Sequence, residues 1–395
     1  MQPLPKTVML LPLRWPLAAL LVTTLAPMAF AGVELKQEAD KVTVQIDGHL
    51  FTEYHFTGAR RPYLYPIIGP TGGAMTRHWP LQDDIATEER DHPHHKGLWY
   101  GHRNVDDVDF WGDSGKPETK LGQQIHDGFL EVKSGEEQGV LRAKDRWVVD
   151  NTGEVACTDE RTITFHKGKD GPMIDFDITL KAGDKEVVFG DDKDGAMAIR
   201  VAETMRVEKP KAKGVKTAPP GDGHIVTSES KQDGAAWGTH GDWCDYYGPV
   251  EGKTAGVALF DNPANPRHPT WWHVRAYGLF AANPFGQAEF EKLPDKTAGA
   301  FKIAPGQSAT FRYRFYFHEG DTEGAKVAEH YREYAGAAAG TKSPAASAEN
   351  PAPTRGALSS QCLVLSQNST PKAESRTPGT DTRGPAFEGE ANQNP

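Results

Sequence analysis

Between Gln123 and about Lys209 the chain shows a series of short apolar and polar alternations separated by polar turns, such as Asn151-Thr152-Gly153. No helical period intervenes between the alternating segments. Strands at this even spacing favour a large antiparallel β-sandwich over a fold of alternating strands and helices. The strands predicted here are Gly128–Lys133, Val140–Val149, Thr158–His166, Met173–Lys181 and Met197–Val207.

Two further segments bear on the first part of the sandwich. Apolar residues alternate from Val42 to Ile46, and Asp47-Gly48 then leads into His49–Phe56. Alternation on both sides of Asp-Gly predicts a β-hairpin. The prolines of Arg60–Pro70 argue against a central paired strand, so we predict an extended edge segment there.

The end of the domain is marked by a strand, a helix and a change of composition. In Phe311–His318 every odd position is aromatic, which indicates a strand with one buried face. Thr322–Tyr334 has apolar residues at helical spacing and predicts one amphipathic helix. The residues that follow are rich in Ala, Pro, Ser and Gly, so we predict one all-β domain over 32–336 and a disordered tail over 337–395.

The N-terminus has the pattern of a secretory signal peptide. Lys6 and Arg14 precede an apolar run over Trp15–Leu25, and Ala29-Phe30-Ala31 supplies a small-residue cleavage site. The apolar run is too short to span a bilayer, although an uncleaved anchor is the alternative. We therefore predict a signal peptide over 1–31 and a periplasmic or secreted protein.

Charge and cysteine content limit the partners. The formal net charge is -10, and removing residues 1–31 with their two cations would make it -12. An acidic surface with no basic stripe disfavours nucleic acid, and no later stretch is apolar enough for a membrane span. Cys157 and Cys244 could form a disulfide in an exported protein or be two buried thiols, while Cys362 falls in the tail.

The stretch Asp91–His102 holds four of the chain's 15 histidines, namely His92, His94, His95 and His102. If the cluster binds a divalent metal, the His-x-His pair His92 and His94 supplies two ligands and His102 a third. In a metal-free reading, His94 and His95 transfer protons and His102 assists them. The alternative to both functions is a structural one, in which the histidines form a hydrogen-bonded turn that stabilises the sheet.

Other residues could hold a substrate near these histidines. Trp99 adjoins the cluster, and Asp109 stands beside Trp111 in the combination of carboxylate and aromatic ring that suits a sugar. Each has a structural alternative: an acidic loop, a strand ion pair, or a tryptophan-rich core. In the later part of the chain, Glu203 is a candidate catalytic residue. The candidate substrate-binding residues there are Arg200, Trp272, His273 and Arg275. The GxSxG, P-loop and HExxH motifs are absent from the sequence.

Several motifs together resemble a bacterial family called methane oxygenase PmoA-like. The resemblance spans about Val33–Ala335, and its most specific part is Asp91–Trp99. It implies a metal-dependent oxygenase. The other matching segments are Arg61–Pro66, Val108–Trp111, Ala196–Val201 and Trp272–Gly286.

A second resemblance is to the aldose 1-epimerases of the galactose mutarotase superfamily. It is carried by Pro62–Gly69 followed by a histidine-containing turn with Lys-Gly. The resemblance implies a β-supersandwich in which Arg61 binds the sugar and His94 or His95 is the acid. The superfamily's second histidine motif is missing here, and its late glutamate base could be Glu203, Glu289 or Glu291.

We therefore expect an exported, galactose-mutarotase-like β-sandwich that carries out acid/base chemistry on a small sugar, sugar acid or oligosaccharide. Epimerisation, elimination and hydrolysis all remain open, no cofactor is required, and a divalent metal is possible. The alternatives are a non-catalytic carbohydrate-binding protein, a metal-dependent oxygenase and a structural partner-binding domain. The main expectation places the clustered histidines with Arg61 and His273 in one open cleft.

Overall fold

The computed structural model describes residues 31–210 and 217–340, with side chains placed up to residue 337. Nearly all of the predicted signal peptide and tail lies outside these residues. The domain is built from strands, with short 3-10 turns at Glu203–Met205 and Asp233–Ala236. In chain order the elements are β1 (Val33–Gln37), β2 (Lys41–Ile46), β3 (His49–His55), β4 (Tyr63–Ile67), β5 (Leu98–His102), β6 (Gly122–Lys133), β7 (Gln138–Val149), β8 (Val155–His166), β9 (Met173–Lys181), β10 (Val187–Phe189), β11 (Gly195–Arg200), β12 (His224–Thr227), β13 (Trp243–Val250), β14 (Lys253–Asp261), β15 (Trp271–Val274), β16 (Leu279–Asn283), α1 (Gln287–Phe290), β17 (Phe301–Ile303), β18 (Ser308–Glu319) and α2 (Val327–Gly340).

The strands form two large antiparallel sheets. The first has the order β1-β2-β3-β4-β5-β11-β16-β15, and the second has the order β12-β13-β14-β18-β9-β8-β7-β6. Strands β10 and β17 form a separate pair. The apolar core lies between the two sheets, because the alternating apolar residues of both sheets face inward. The predicted all-β sandwich with a C-terminal helix is confirmed.

Most local predictions agree with the elements, but the strand predicted over Met197–Val207 ends at Arg200 and is followed by the 3-10 turn Glu203–Met205. The Asp47-Gly48 hairpin joins β2 to β3, and β9 has the predicted bounds Met173–Lys181. The final helix begins later and ends later than predicted, at Val327–Gly340. Its aromatic residues pack on the outer face of the second sheet, against Phe260 and Tyr316. Because α2 reaches Gly340, its last turn includes the first residues assigned to the tail.

The segment predicted at a sheet edge lies inside the first sheet, which corrects that prediction. Strand β4 pairs with β3 on one side and with β5 on the other. Pro66 is tolerated because β5 pairs only with Tyr63 and Leu64, and the register with β3 shifts between Thr52 and Tyr54. The proline therefore falls where the ladder of hydrogen bonds is interrupted.

The outer face of the first sheet carries a row of residues in register. Tyr63 is opposite Trp99, Trp99 is opposite Ala198, Ala198 is opposite Ala281, and Ala281 is opposite His273. Side chains alternate between the two faces of a strand, so these five residues share the face turned away from the core. The two alanines leave room above the middle of the sheet for side chains from the loops.

The structure also shows the state of two cysteines and bears on whether a helix could span a membrane. Cys157 and Cys244 are both buried and unpaired with each other, so the reading of two buried thiols is the one observed. Among residues 31–210 and 217–340, no helix is both long enough and apolar enough to cross a bilayer.

Candidate functional site

His92, His94 and His95 lie on residues 68–97, the connection between β4 and β5, above the outer face of the first sheet. Gly97 ends this connection with a φ of +56°, and a Cβ there would lie 2.0 Å from the carbonyl oxygen of Leu64. Its own carbonyl accepts a hydrogen bond from the Arg200 backbone at 2.8 Å. Only glycine fits this conformation and this close approach, so Gly97 fixes how the loop enters β5.

Four aromatic rings form a continuous stack above the sheet. Tyr277 lies 5.3 Å from His92 with the rings 6° from parallel, and His92 lies 4.7 Å from His95, again at 6°. His95 in turn stacks on Trp99 at 5.3 Å. The histidine ring at position 92 is therefore held between two parallel rings, while its side chain remains 40% exposed.

Asp91 connects this stack to two buried arginines. Its Oδ1 accepts hydrogen bonds from Arg77 and, at 3.1 Å, from Arg200, while its Oδ2 lies 2.6 Å from His92 Nδ1. Both arginine side chains are 0% exposed, whereas that of Asp91 is 23% exposed. Burial acts to raise the pKa of Asp91, but the hydrogen bond from His92 and the charges of Arg200 and Arg77 outweigh it. The pKa is thus held well below its usual range, and the carboxylate is ionised.

His94 and His95 are neutral near pH 7. Burial, together with the Arg61 charge, lowers the pKa of His94 to about 3. Burial also lowers the pKa of His95 well below its ordinary value, with His94 and Arg200 acting in the same direction. His95 is only 2% exposed, and its Nδ1 lies 3.3 Å from Arg200 Nη1.

A cleft of about 360 Å³ opens next to the stack. Asp91 and Tyr277, which both contact His92, form part of its wall. Arg206 is fixed in the cleft by Glu89 at 2.7 Å and by Glu203 at 2.6 Å. The lining contains both hydrogen-bond donors and acceptors: Glu89, Asp91, Arg206, Glu208, Lys209, Thr217, Ala218 and Tyr277.

Glu203 lies beside this cleft in the 3-10 turn after β11. Burial raises its pKa, although the adjacent Arg206 opposes that shift. Its Oε1 is engaged by Arg206, so the glutamate positions the guanidinium that lines the cleft. The predicted catalytic glutamate is therefore close to the site but paired.

Arg61 and Trp99 lie on the other side of the histidines. Arg61 is buried and donates hydrogen bonds to the Trp111 carbonyl and to Asp113, which also accepts from Lys96 at 2.9 Å. The crevice between Arg61, His94 and Trp99 has no room for a water molecule. These contacts hold the Trp111 loop against the stack and leave no space for a sugar at Arg61.

Asp109 and Arg275 bind neighbouring parts of the chain. Asp109 accepts hydrogen bonds from the backbone N–H groups of Trp111 and Gly112, both at 2.8 Å, and so fixes that turn. Arg275 places its guanidinium over the ring of Trp237 at 4.9 Å. Neither side chain reaches the cleft beside His92.

Three predicted residues lie apart from the stack. His102 and Trp272 point into the core between the sheets, where His102 contacts the Gly190 carbonyl at 2.7 Å. Burial lowers the pKa of His102 to about 4. His273 is on the outer face but at the far end of the row, and burial lowers its pKa to about 3. Alternation along β5 and β15 explains the separation, because Trp99 and His102, like His273 and Trp272, face opposite sides.

The histidines predicted as metal ligands do not converge. His92 Nδ1 is engaged by Asp91, and His102 lies on the opposite face of β5 from the stack. Within the described ranges there is no group of three or more His, Cys, Asp or Glu side chains arranged around a possible ion. These residues do not fit a shared metal site, and a divalent metal stays a prediction for elemental analysis to test.

The structure thus differs from the expected single open cleft. His95 and His273 are packed, and Arg61 is engaged elsewhere, while His92 with Asp91 is the accessible pair. From the sequence, His92 is predicted only as a metal ligand, although Asp91 and His92 are adjacent in the most prominent motif. Arg77 and Tyr277 had no sequence signal, because only the folded loops bring them to the histidines.

The chain is similar, at low sequence identity, to several solved structures. A galactose mutarotase-like protein from Clostridium acetobutylicum is 10% identical, with a TM-score of 0.36, covering 73% of this chain and 99% of that one. A galactose mutarotase related enzyme from Lactobacillus acidophilus is 9% identical, with a TM-score of 0.31 and coverage of 73% and 97%. A putative aldose 1-epimerase from Escherichia coli K12 is 10% identical, with a TM-score of 0.30 and coverage of 73% and 99%.

Comparison by sequence identifies the family of the chain but gives no activity. No curated protein matches the chain. Residues 41–332, which include every strand from β2 to β18, match a family described as "Family of unknown function (DUF6807)". The resemblance to the methane oxygenase PmoA-like family finds no support in these comparisons and stays a prediction. The match over most of the domain shows that this chain belongs to the DUF6807 family.

Proposed function

We propose that this protein is a carbohydrate-active enzyme in which His92 transfers a proton to or from a sugar bound in the neighbouring cleft. The proposal rests chiefly on the pairing of Asp91 with His92 at 2.6 Å beside that cleft. A carboxylate that accepts from one ring nitrogen orients the imidazole and stabilises its protonated form. The other nitrogen, Nε2, is then the one that exchanges a proton with the ligand.

The lining of the cleft supports a hydroxyl-rich ligand. Each sugar hydroxyl both donates and accepts, and the wall offers donors from Arg206, Lys209 and Thr217 and acceptors from Glu89 and Glu208. Ala218 is the one small apolar side chain among the lining residues of this cleft. The volume of about 360 Å³ falls in the range of small-molecule sites. A small sugar suits this site better than an apolar ligand.

This assignment moves the proton-transfer role within the cluster. Of the two residues predicted for it, His95 is buried and His94 is half-buried, and both have lowered pKa values. The His92 side chain is 40% exposed and has a carboxylate partner. His94 and His95 then serve as the wall and the stacking surface that hold the reactive ring.

The test is a comparison of the wild type with His92→Gln on a panel of neutral monosaccharides, disaccharides and uronic acids in D2O. Proton NMR reports exchange of a C–H proton, a changed anomer ratio, an eliminated product or a cleaved bond, and so distinguishes the reaction types. General acid/base catalysis contributes about 10²–10⁴-fold, so the variant should be slower by that factor. His49→Gln, at an exposed histidine in the β2–β3 hairpin, is the matched control and should keep the wild-type rate. A folded His92→Gln enzyme with full activity would exclude the proposed role.

A carbohydrate-binding protein without turnover is the second candidate. The burial of His95 and His273 favours it, because these imidazoles have almost no contact with solvent. Calorimetry distinguishes the two functions: a sugar that binds with measurable heat, and yields no product over the whole NMR panel, would support binding alone.

Export is part of the same proposal. The charge, apolar run and Ala29-Phe30-Ala31 of the first 31 residues support it, although the structure describes only the last of these residues. Expression with this segment in a Gram-negative host should give a protein in the periplasmic fraction whose mass corresponds to a chain that begins at Gly32. A protein of full-length mass retained with the cells would contradict the predicted cleavage.

A further inference from the structure

We infer that Asp91 and Arg200 hold His92 and His95 in opposite neutral tautomers, so that Nε2 is a proton acceptor on His92 and carries the ring proton on His95. The tautomers follow from the hydrogen bonds alone. That His92 acts on a sugar rests on the proposed function.

The tautomer of His92 is set by Asp91. The 2.6 Å contact joins His92 Nδ1 to Asp91 Oδ2, and an ionised carboxylate can only accept a hydrogen bond. The proton of the neutral imidazole is therefore on Nδ1. Nε2 carries the lone pair and is the atom that takes up a proton.

The tautomer of His95 is set by Arg200 in the opposite sense. The 3.3 Å contact joins His95 Nδ1 to Arg200 Nη1, and a guanidinium has donors and no acceptor. His95 Nδ1 must therefore carry the lone pair, which leaves the ring proton on Nε2. His95 is then a neutral hydrogen-bond donor.

Arg200 is well placed to impose this difference. It is fully buried, its guanidinium lies 4.8 Å from the ring centre of Tyr277, and its Nη2 donates to Asp91 Oδ1 at 3.1 Å. One chain of hydrogen bonds therefore runs from His92 through Asp91 and Arg200 to His95. The two imidazoles at its ends are parallel and 4.7 Å apart.

The arrangement selects a class of ligand. A neutral hydroxyl can donate to His92 Nε2, whereas a carboxylate can only accept and would lie close to ionised Asp91. In the reaction the O–H bond of the ligand breaks and an N–H bond forms on His92. The resulting imidazolium is paired with Asp91, and Arg206 and Lys209 in the cleft wall offer N–H donors to the oxygen that gains negative charge. We therefore assign neutral, hydroxyl-bearing sugars to this site in preference to their uronic acids.

Nitrogen NMR on the full chain with ¹⁵N-labelled histidine tests the tautomers without any substrate. Long-range ¹H–¹⁵N correlations near neutral pH distinguish protonated from unprotonated ring nitrogens, and the His92→Gln and His95→Gln variants assign the signals. We expect the proton on Nδ1 of His92 and on Nε2 of His95. The same tautomer at both residues, or the reverse assignment at either, would overturn the inference even if sugar turnover were found.

Asp91→Asn provides a second readout that a purely structural role would not give. The asparagine amide can donate to His92 Nδ1, so His92 should change to the Nε2–H tautomer while His95 keeps its pattern. Asp83→Asn, in the exposed pair with Arg90, is the control and should change neither residue. An unchanged His92 tautomer in folded Asp91→Asn would contradict the assignment, and if this variant does not fold, the wild-type spectrum decides.

The ligand class is tested in the same spectra by adding neutral monosaccharides and the matching uronates. Shifts of the His92 and His95 signals with at least one neutral sugar and with no uronate would support the assignment. Shifts with uronates alone, or with no sugar of either kind, would overturn the ligand class while leaving the tautomers as measured.

Discussion

Replacing Asp91 by alanine removes the carboxylate that contacts both Arg77 and Arg200. Both guanidinium groups are buried, so the variant leaves two positive charges without this partner. Arg77 keeps the carbonyl oxygens of Trp79 and Glu89 as acceptors, whereas Arg200 keeps the neutral His95 Nδ1. The loss of stability should therefore arise chiefly at Arg200.

The size of the effect follows from this burial. Removing one partner of a buried ion pair costs about 3–5 kcal/mol. Because Asp91 itself is 23% exposed, we expect a value near the lower end, about 3 kcal/mol. Asp91→Asn keeps an acceptor oxygen of the same size and should cost roughly 1–2 kcal/mol, the range of a weakened hydrogen bond to a charged group.

Urea unfolding monitored by tryptophan fluorescence measures these differences. The control is Asp83→Ala, which removes the exposed Asp83–Arg90 pair from the same loop and should cost less than about 1 kcal/mol. Since the folded pKa of Asp91 lies below its unfolded value of about 3.9, the stabilisation is present above that pH and is lost as pH falls through the folded pKa. The gap between wild type and Asp91→Ala should thus be constant near neutrality and close only in strong acid. Equal losses for Asp91→Ala and Asp83→Ala would refute this account of the network.

Two further predictions concern buried charges outside the site. Arg161 is buried between Asp145 at 2.7 Å and Asp159 at 2.8 Å. Arg161→Met leaves both carboxylates without this partner and should lower the free energy of unfolding by about 3–5 kcal/mol in urea titrations. A loss below about 1 kcal/mol would contradict this prediction. His318 is buried beside Asp245 at 2.9 Å; burial lowers its pKa, but the Asp245 charge and hydrogen bond outweigh that and raise it. Its stabilisation is therefore complete below the unfolded pKa of about 6.5 and is lost as pH rises through the folded pKa. His318→Gln should flatten the decline of stability above pH ~6.5, and an unchanged slope would exclude this pair as its cause.

Local patterns in the sequence were sufficient for much of the fold. Alternation gave β9 its full bounds, and Asp47-Gly48 gave the β2–β3 hairpin, because both depend on neighbouring residues. The position of β4 was predicted wrongly, since a proline rule that holds for continuous ladders does not apply where a bulge already interrupts pairing. Pairing of this kind depends on strands that are far apart in sequence.

The candidate site, like the fold, was predictable where it depends on neighbouring residues and not where it depends on distant ones. The motif Asp91–His102 located the cluster, but the motif alone did not show that His102 faces the core while Trp99 faces outward. To predict which face each residue occupies, one must know at which residue β5 begins. The alternation of side chains along the strand then assigns Trp99 and His102 to opposite faces. Arg77, 14 residues before Asp91, and Tyr277 are brought to the histidines only by folding.

Chemical rescue of His92→Ala tests the central claim most directly. Removing the imidazole leaves a slot between the parallel rings of His95 and Tyr277, which lay 4.7 Å and 5.3 Å from it, and free imidazole fits such a slot. The measurement is the rate of sugar conversion by His92→Ala with and without added imidazole. We predict that imidazole restores a saturable part of the lost activity, and that His49→Ala shows no such response. A variant that binds sugar with wild-type affinity and stays inactive at every imidazole concentration would contradict the role of His92 in proton transfer.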